Sequence, residues 1–471
     1  MLEPLRTFFL PYKRHFRETL KIAWPVIIGL MGFNLMGLID SLMIGELSYV
    51  HLSAASLANG MFIVLTIIGM GLTFALSPLV AEADTAGKHR RVGDILRQGT
   101  YVTLILAFIL TVLTYFASDA LYFMDQPMQD VELADGYLRI LSLTVIPLLV
   151  FMAFKQFTDG LSFTRPAMYV TLLGLAVNTF ANWLLIFGHW GFPRMELAGA
   201  GWGTLISRIV MMVVMIGYVL YARDFEKYGL RQRWQKIQPR LMGRITELGL
   251  PSGFQHFFEV AAFVGCTVVI GWMDDPSASR AAHQIVLQLA AVTFMVVLGF
   301  SAASTIRVGQ ALGRKDQPNL RRSGFAGIML SIGFMSISGL VFMAGKSYFP
   351  TFFNDNSLVL EISAKLMIMA AFFQIFDGIQ AVGIGILRGI QDVKIPTVIT
   401  FVAYWVIALP MAYVLGISLD MGVIGVWIGL VASLMTAAAL LTMRFNHLTR
   451  SKAITEEIPL EKEAVPEPVN L

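Results

Sequence analysis

Long apolar stretches recur along almost the whole of this 471-residue chain, and they constrain its fold more than any other feature. Crossing the hydrocarbon core of a bilayer takes about 20 mostly apolar residues. A soluble chain would carry about 25% charged residues, whereas this chain carries 14%. We therefore predict an all-α integral membrane protein with transmembrane helices near 18–45, 52–82, 95–118, 136–160, 166–188, 197–222, 243–272, 279–310, 322–344, 359–387, 396–416 and 421–444.

Basic and acidic residues alternate between successive loops. Arg6 precedes the first span, Lys88 follows the second and Arg314 follows the eighth, each among further basic residues. Asp125 follows the third span and Asp274 the seventh. Basic loops stay in the cytoplasm, so both termini are expected there, as an even number of spans requires. We expect a multi-pass protein of the plasma membrane, the inner membrane in a bacterium.

The longest polar linker divides the chain into two halves of six spans each, and the halves resemble each other. Pro25 matches Pro251, GLTFALSPLVAEA matches GFSAASTIRVGQA, and TDGLSFTRP matches LRGIQDVKIP, all at offsets of 226–230 residues. Six spans per half imply parallel repeats around an axis normal to the membrane. We predict two pseudo-symmetric six-helix bundles that face a central cavity. The expected parts are an N-lobe (1–222), a cytoplasmic linker (223–242), a C-lobe (243–445) and a disordered cytoplasmic tail (446–471).

Three acidic residues lie inside predicted spans: Asp40 in the first, Glu259 in the seventh and Asp377 in the tenth. A charged side chain at the centre of a membrane helix costs roughly 2.5–3.5 kcal/mol, so such residues usually face a cavity. Each carboxylate has either a structural role, satisfied by neighbouring helices, or a functional one. Three acids without an equal number of buried bases favour a cation site.

Several function classes lack support in the sequence. The single cysteine, Cys266, and seven scattered histidines provide no metal-binding spacing. No GxxxxGK[ST] motif is present, so ATP does not drive transport in this chain. No nucleophile–base constellation indicates an enzyme, and we expect neither a cofactor nor a nucleic-acid partner.

Polar residues within the apolar spans carry a family resemblance. The stretches are MGLIDSLMIGEL, LGLPSGFQHFFEVAAF, AAHQIVLQ, TIRVGQALG, QIFDGIQAVGIGILRGIQD and TFVAYWVIALPMAYVLG, and the resemblance covers about residues 18–445. The chain resembles the multidrug and toxic compound extrusion (MATE) family, and more closely its NorM-type branch. The resemblance implies a monomeric, twelve-helix antiporter that exchanges amphiphilic organic cations for H⁺ or Na⁺.

The same resemblance implies where the coupling ion binds. Asp40 matches the acid of the N-lobe site, and Glu259 and Asp377 match the acid pair of the C-lobe site. Asn178 and Asn182 are four residues apart, hence on one face of the fifth span, which in the family turns towards the first-helix aspartate. Their alternative role is to hold helices together through hydrogen bonds. Either Asp40 with the two asparagines, or Glu259 with Asp377, provides oxygen atoms that Na⁺ could use.

Further residues depart from the family pattern or leave alternatives open. We expect His256, Gln284, Phe373 and Tyr404 at the substrate cavity. His256 precedes Glu259 by one turn and is either its proton partner or an interfacial residue on another face, which we favour. Phe373 replaces a tyrosine common in related chains, and both departures favour protons over Na⁺. Arg208, midway along the sixth span, either pairs with an acid or snorkels.

A lipid-linked glycan flippase of the same wider superfamily is the alternative function. Such a protein needs a strongly cationic cavity to hold pyrophosphate. The buried charges identified in this sequence are mostly acidic, which favours export of organic cations.

Overall fold

The computed structural model describes residues 12–123, 126–231, 236–273 and 276–450. Every regular element in these ranges is helical, and twelve spans result when one bent pair is counted as a single span. The first six are α1 (Lys13–Gly45), α2 (Tyr49–Thr85), α3 (His89–Phe123), α4 (Met128–Leu143 with Val145–Gly160), α5 (Thr164–Phe187) and α6 (Glu196–Tyr221). The last six are α7 (Pro239–Ile270), α8 (Pro276–Gly313), α9 (Gln317–Ala344), α10 (Ser357–Gly389), α11 (Lys394–Ser418) and α12 (Gly422–Arg450).

Each predicted span overlaps one observed span, which confirms the fold class. Most spans are longer than predicted: α3 begins at His89 instead of 95, α4 begins at Met128 instead of 136, and α7 begins at Pro239, inside the expected linker. The helix α12 continues to Arg450, five residues past the expected end of the C-lobe, because the apolar face of its last turns packs inward through Phe445. The linker holds a short 3₁₀ helix at Arg223–Tyr228. The expected disordered tail beyond 450 and the loop residues Arg6, Asp125 and Asp274 lie outside the described residues.

Prolines break two of the spans. The helix α2 is interrupted at Phe74 and Ala75, and α4 is bent by 41° at Thr144. A proline inside a helix removes one hydrogen bond and its ring clashes with the carbonyl four residues earlier. Pro78 lies four residues after Phe74, and Pro147 lies four residues after Leu143. Residues that follow each break, Ser77 in α2 and Lys155 in α4, line the cavity between the lobes.

The two lobes touch along α2 and α7 through small residues. A Cβ atom on Gly71 would collide with the backbone of Gly253, and one on Gly253 would lie 3.0 Å from the Cα atom of Ile68. Close approach of two backbones is the usual reason for glycine at an interface between membrane helices. The lobes therefore pack backbone to backbone at this point.

Within the described residues, the hydrogen bonds that join the two lobes, α1–α6 and α7–α12, lie at the basic end of the bundle. This is the end where α1 begins and α2 ends. Arg307 in α8 donates to the His15 carbonyl (2.7 Å), Thr19 Oγ1 (2.7 Å), His15 Nδ1 (2.9 Å) and Glu18 Oε2 (2.6 Å), all in α1. We call the contacts of Arg307, Gln310 and Gln391 with the N-lobe the basic-end contact zone.

The contact zone repeats itself across the pseudo-two-fold axis. Gln310 donates to Ser162 Oγ at 2.9 Å, and Gln391 donates to Glu82 Oε2. Gln310 lies 228 residues after Glu82, and Gln391 lies 229 after Ser162, within the repeat offset. Ser162 and Gln391 both have positive φ, 66° and 63°, so the two turns share one backbone conformation. The lobes thus exchange the same contact in both directions.

Candidate functional site

A polar site lies inside the N-lobe around Asp40 of α1. Asn182 Nδ2 of α5 donates to Asp40 Oδ1 at 2.5 Å, and Thr204 Oγ1 of α6 donates to Asp40 Oδ2 at 3.4 Å. Asn178 is fully buried one turn from Asn182, its amide lies close enough to the carboxylate to interact with it, and its Oδ1 has no hydrogen-bond partner. The structure therefore brings together the three residues expected at this site.

Close packing of α5 and α6 makes this geometry possible. A Cβ atom on Gly203 would overlap Asn182 Oδ1 and lie 3.2 Å from Asn182 Cγ. Glycine at 203 leaves the room that Asn182 needs to face Asp40. Neither Gly203 nor Thr204 could be recognised from the sequence, because both contribute only once α6 packs against α5.

Arg208 of α6 points into the N-lobe and does not snorkel. Its Nη1 donates to Thr144 Oγ1 at the bend of α4, and its guanidinium carbon lies 5.1 Å from the ring centroid of Phe62. Its Nε is buried without a hydrogen-bond partner. Arg208 is also close enough to Asp40 to interact electrostatically, although the two form no ion pair within 4 Å. The N-lobe site thus holds a fixed positive charge near its acid.

A second polar site lies inside the C-lobe around Glu259 of α7. The Tyr404 hydroxyl of α11 lies 3.2 Å from Glu259 Oε1 and 3.3 Å from Gln380 Oε1, so two acceptors share one hydroxyl proton. Asp377 of α10 is buried and lies within electrostatic range of Glu259. The predicted pair of acids is therefore present in one lobe.

Tyr404 reaches Glu259 from an unusual backbone. It lies in a π-helical stretch, Val402–Ala408, inside α11. A π-helical turn shifts the side chains that follow it, and such turns are frequent at functional sites. Phe373 is buried against Phe263 and Trp427 at centroid distances of 6.2 and 5.4 Å. The hydroxyl in this part of the C-lobe therefore comes from Tyr404 of α11 and contacts Glu259, whereas Phe373 provides only an apolar ring.

His256 lies beside Glu259, so placing it on another face was wrong. Its Nδ1 is 3.7 Å from Glu259 Oε2, and its ring packs edge-on against Phe74 at 5.4 Å between centroids. Residues three apart on a helix are neighbours, and here the α2–α7 contact holds the imidazole on that face.

A cavity of about 260 Å³ lies between the lobes, next to the basic-end contact zone. Apolar side chains form most of its wall. The polar and charged residues that line it come from both lobes: Ser77, Lys155, Gln156, Asp159, His256, Glu259, Ser301, Thr305, Gln380 and Arg388.

Of the four side chains expected at the cavity, only His256 lines it. Phe373 and Tyr404 are buried within the C-lobe, and Gln284 is exposed on α8. The neighbouring His283 is the inward residue there, and its Nδ1 accepts a hydrogen bond from Trp427 Nε1 at 3.1 Å. One residue of helix turns the side chain by about 100°, which takes Gln284 away from the interior.

Lys155, Asp159 and Arg388 are charged cavity residues that the sequence analysis missed. Lys155 Nζ pairs with Asp159 Oδ2 at 2.6 Å within α4. Asp159 and Arg388 belong to the two matched repeat segments, and reading the charges of those segments would have revealed them. Asp159 and Glu259 therefore share the cavity wall with two basic side chains, Lys155 and Arg388, so its charged lining is not predominantly acidic.

No cluster of three histidine, cysteine or acidic side chains suited to a metal ion occurs within the described ranges. The N-lobe site instead offers one carboxylate with two amide oxygens, Asn178 Oδ1 and Asn182 Oδ1, which are buried without partners. Such oxygen atoms fit a small hard cation. The Glu259 site offers a carboxyl, a hydroxyl and an imidazole, which fit proton exchange.

Two helical lobes around a charged cavity, each with a buried acid, define a polytopic membrane transporter. The chain matches the MatE family over residues 25–184 and 251–414 and belongs to that family. It is 36% identical over 437 residues to a probable multidrug resistance protein NorM from Rhodopseudomonas palustris, covering 92% of each chain. It is 31% identical over 444 residues to the multidrug resistance protein NorM of Aliivibrio fischeri, covering 93% of this chain and 96% of that relative.

Solved structures share the fold at lower sequence identity. A crystal structure of MATE in the bent conformation superimposes with a TM-score of 0.86 at 20% identity, covering 94% of this chain and 98% of that one. A multidrug resistance MATE family transporter in an outward-facing conformation gives a TM-score of 0.85 at 20% identity, covering 93% and 97%. The twelve-helix, two-lobed architecture of the chain is thus that of known transporters.

Proposed function

We propose that this chain is a secondary active multidrug efflux antiporter that exports amphiphilic organic cations in exchange for H⁺ or Na⁺. The observation that carries the proposal is a buried carboxylate site in each lobe, Asp40 in one and Glu259 with Asp377 in the other, with Glu259 lining the cavity between the lobes. The relatives named NorM support the drug-export role.

The basic end of the bundle faces the cytoplasm in this proposal. Lys88 and Arg314 lie in loops at that end, and basic loops stay in the cytoplasm. Both termini then lie in the cytoplasm, and the protein belongs in the bacterial inner membrane. Because the basic-end contact zone is closed, the conformation is outward-facing.

The two sites favour different ions. The partnerless amide oxygens of Asn178 and Asn182 favour Na⁺ at Asp40, whereas the nearby guanidinium of Arg208 opposes an added cation. His256 and Tyr404 beside Glu259 favour protons. Protons are therefore the expected main driving ion.

The decisive experiment uses vesicles loaded with a fluorescent organic cation, with H⁺ and Na⁺ gradients imposed separately. Efflux after a pH step without Na⁺ is expected. The matched control for variants of the buried acids is Glu361→Gln, because Glu361 is an exposed acidic residue of α10 that pairs with Lys365. This variant should retain efflux. Efflux that needs a Na⁺ gradient and ignores the pH step would refute proton coupling and leave the oxygen cage around Asp40 as the better explanation.

A glycan flippase needs a cavity with several free cations for pyrophosphate. Here Lys155 is paired with Asp159, and Glu259 faces the same space as Arg388. This balance of charge supports the antiporter over the flippase. Translocation of a labelled lipid-linked glycan in the same vesicles is expected to be absent.

A further inference from the structure

Arg388 is a cavity residue whose guanidinium lacks a counter-ion. It lies in the last turn of α10 and lines the cavity between the lobes. Its guanidinium carbon lies 5.0 Å from the ring centroid of Phe74, across the lobe boundary. Its Nε and Nη2 are buried without a hydrogen-bond partner, and no acidic side chain of the described ranges forms an ion pair with it.

Such an arrangement is costly unless an acceptor completes it. A guanidinium carries five N–H donors in a fixed plane, and the aromatic face of Phe74 satisfies none of them in the way that a carboxylate does. The contact with the face of Phe74 leaves Nε and Nη2 without an acceptor, so these donors are available to a ligand. A planar anionic group such as a carboxylate can accept two parallel hydrogen bonds from that edge.

The internal repeat shows that the missing partner is particular to the C-lobe. Gly160 and Gly389 match at an offset of 229, which aligns Asp159 with Arg388. In the N-lobe, Lys155 one turn earlier pairs with Asp159. The residue aligned with Lys155 is Ile384, which also lines the cavity and provides no charge. The N-lobe charge is therefore compensated within its own helix, whereas the C-lobe charge is left for another molecule.

The carboxylate of Glu259 stands at the other end of the same cavity wall. It shares the Tyr404 hydroxyl with Gln380, which precedes Arg388 by eight residues in α10. Eight residues of helix span about 12 Å, so the acidic and basic groups are separated by about the length of a drug-sized molecule. The wall between them is mostly apolar.

We propose that Arg388 binds the anionic group of zwitterionic amphiphiles, whose cationic group is held near Glu259. Arg388 is then a specificity-determining residue of the export activity proposed above, on which this inference rests. It makes the cavity select molecules that carry both charges over cations of the same shape. The apolar wall between the two charges takes the body of the substrate.

The test compares two dyes that differ in one charge. Rhodamine 110 carries a free carboxylate beside its cationic ring system, and rhodamine 123 is its methyl ester. Fluorescence anisotropy of the purified full-length protein gives Kd for each dye. In Arg388→Gln, Kd for rhodamine 110 should rise about tenfold or more, because charge-assisted hydrogen bonds are lost, whereas Kd for rhodamine 123 should stay within about twofold. Arg388→Lys should recover part of the loss, since it keeps the charge but not the planar fork.

Arg444→Gln is the matched control, because it removes a C-lobe arginine that pairs with Asp392 away from the cavity. It should leave both Kd values unchanged. Equal losses for both dyes in Arg388→Gln would mean a structural role and overturn the inference, as would an unchanged Kd for rhodamine 110. If the unaltered protein binds and exports neither dye, the proposed function fails as well, so the two failures are distinguishable.

Discussion

Replacing Arg307 by methionine tests whether the basic-end contact zone holds the lobes together. Arg307 makes one ion pair with the partly exposed Glu18 and three further hydrogen bonds to α1. An ion pair of that exposure contributes about 0–1 kcal/mol, and each hydrogen bond contributes about 1 kcal/mol net. The variant should lose about 3 kcal/mol of closure free energy. That loss shifts the ratio of closed to open lobes by a factor of roughly 100.

The assay is a distance measurement between spin labels on Arg90→Cys in the N-lobe and Arg314→Cys in the C-lobe, both exposed at the basic end. The native Cys266 is buried, so the labels attach to the introduced cysteines. Double electron–electron resonance should show a short distance without further substitution and a dominant longer one with Arg307→Met. Arg444→Met, which breaks an ion pair within the C-lobe, should leave the short distance in place. An unchanged distance distribution in Arg307→Met would show that the lobes close without this contact.

Three further predictions concern the buried sites. Asp40→Asn should fold normally, with an unchanged unfolding temperature, but lose coupled efflux, because an amide cannot exchange a cation; full efflux at normal expression would remove Asp40 from the mechanism. Glu259→Gln and Asp377→Asn should each weaken efflux, and the double variant should be little worse than the poorer single one; strictly additive losses would indicate two separate roles. Gly203→Ala should displace Asn182 from Asp40, cost about 1–3 kcal/mol of stability and lower efflux. The control is Gly217→Ala in the same helix, where a Cβ has open space, and it should change neither stability nor efflux.

Hydropathy predicted the spans well because bilayer thickness fixes their length, and the repeat offsets predicted two lobes. Helical spacing predicted that Asn178 and Asn182 share one face, and the family resemblance predicted that this face turns towards Asp40. The breaks at Phe74 and Thr144 were not predicted, although Pro78 and Pro147 were visible in the sequence. A proline inside an apolar stretch shows where a hydrogen bond is lost but not how far neighbouring helices let the chain bend.

The sequence alone could not predict which side chains meet across the boundary between the lobes. Arg388 meets Phe74 across the lobe boundary, and the ring of His256 packs on the same Phe74, because α2 packs against α7 there. The same holds for Tyr404, whose direction depends on a π-helical stretch with no clear sequence signal. Gln284 was placed one residue out of register with the inward His283. Helical periodicity shows which residues share a face of a helix, but tertiary packing decides which face points inward.

The cavity of about 260 Å³ is smaller than the roughly 300–1,000 Å³ of typical drug sites, and the hydrogen bonds that join the lobes lie towards its basic end. Within the described residues, the lobes share no hydrogen bond towards the opposite end. A long molecule can therefore leave part of its body protruding between the lobes. A broad molecule must instead force α2 and α8 apart. These two helices are joined by the hydrogen bond that Thr85 Oγ1 donates to the Gln310 carbonyl at 3.0 Å. Girth, and not length, is then the dimension that such a transporter discriminates, so chemically unrelated molecules of similar cross-section can follow one route.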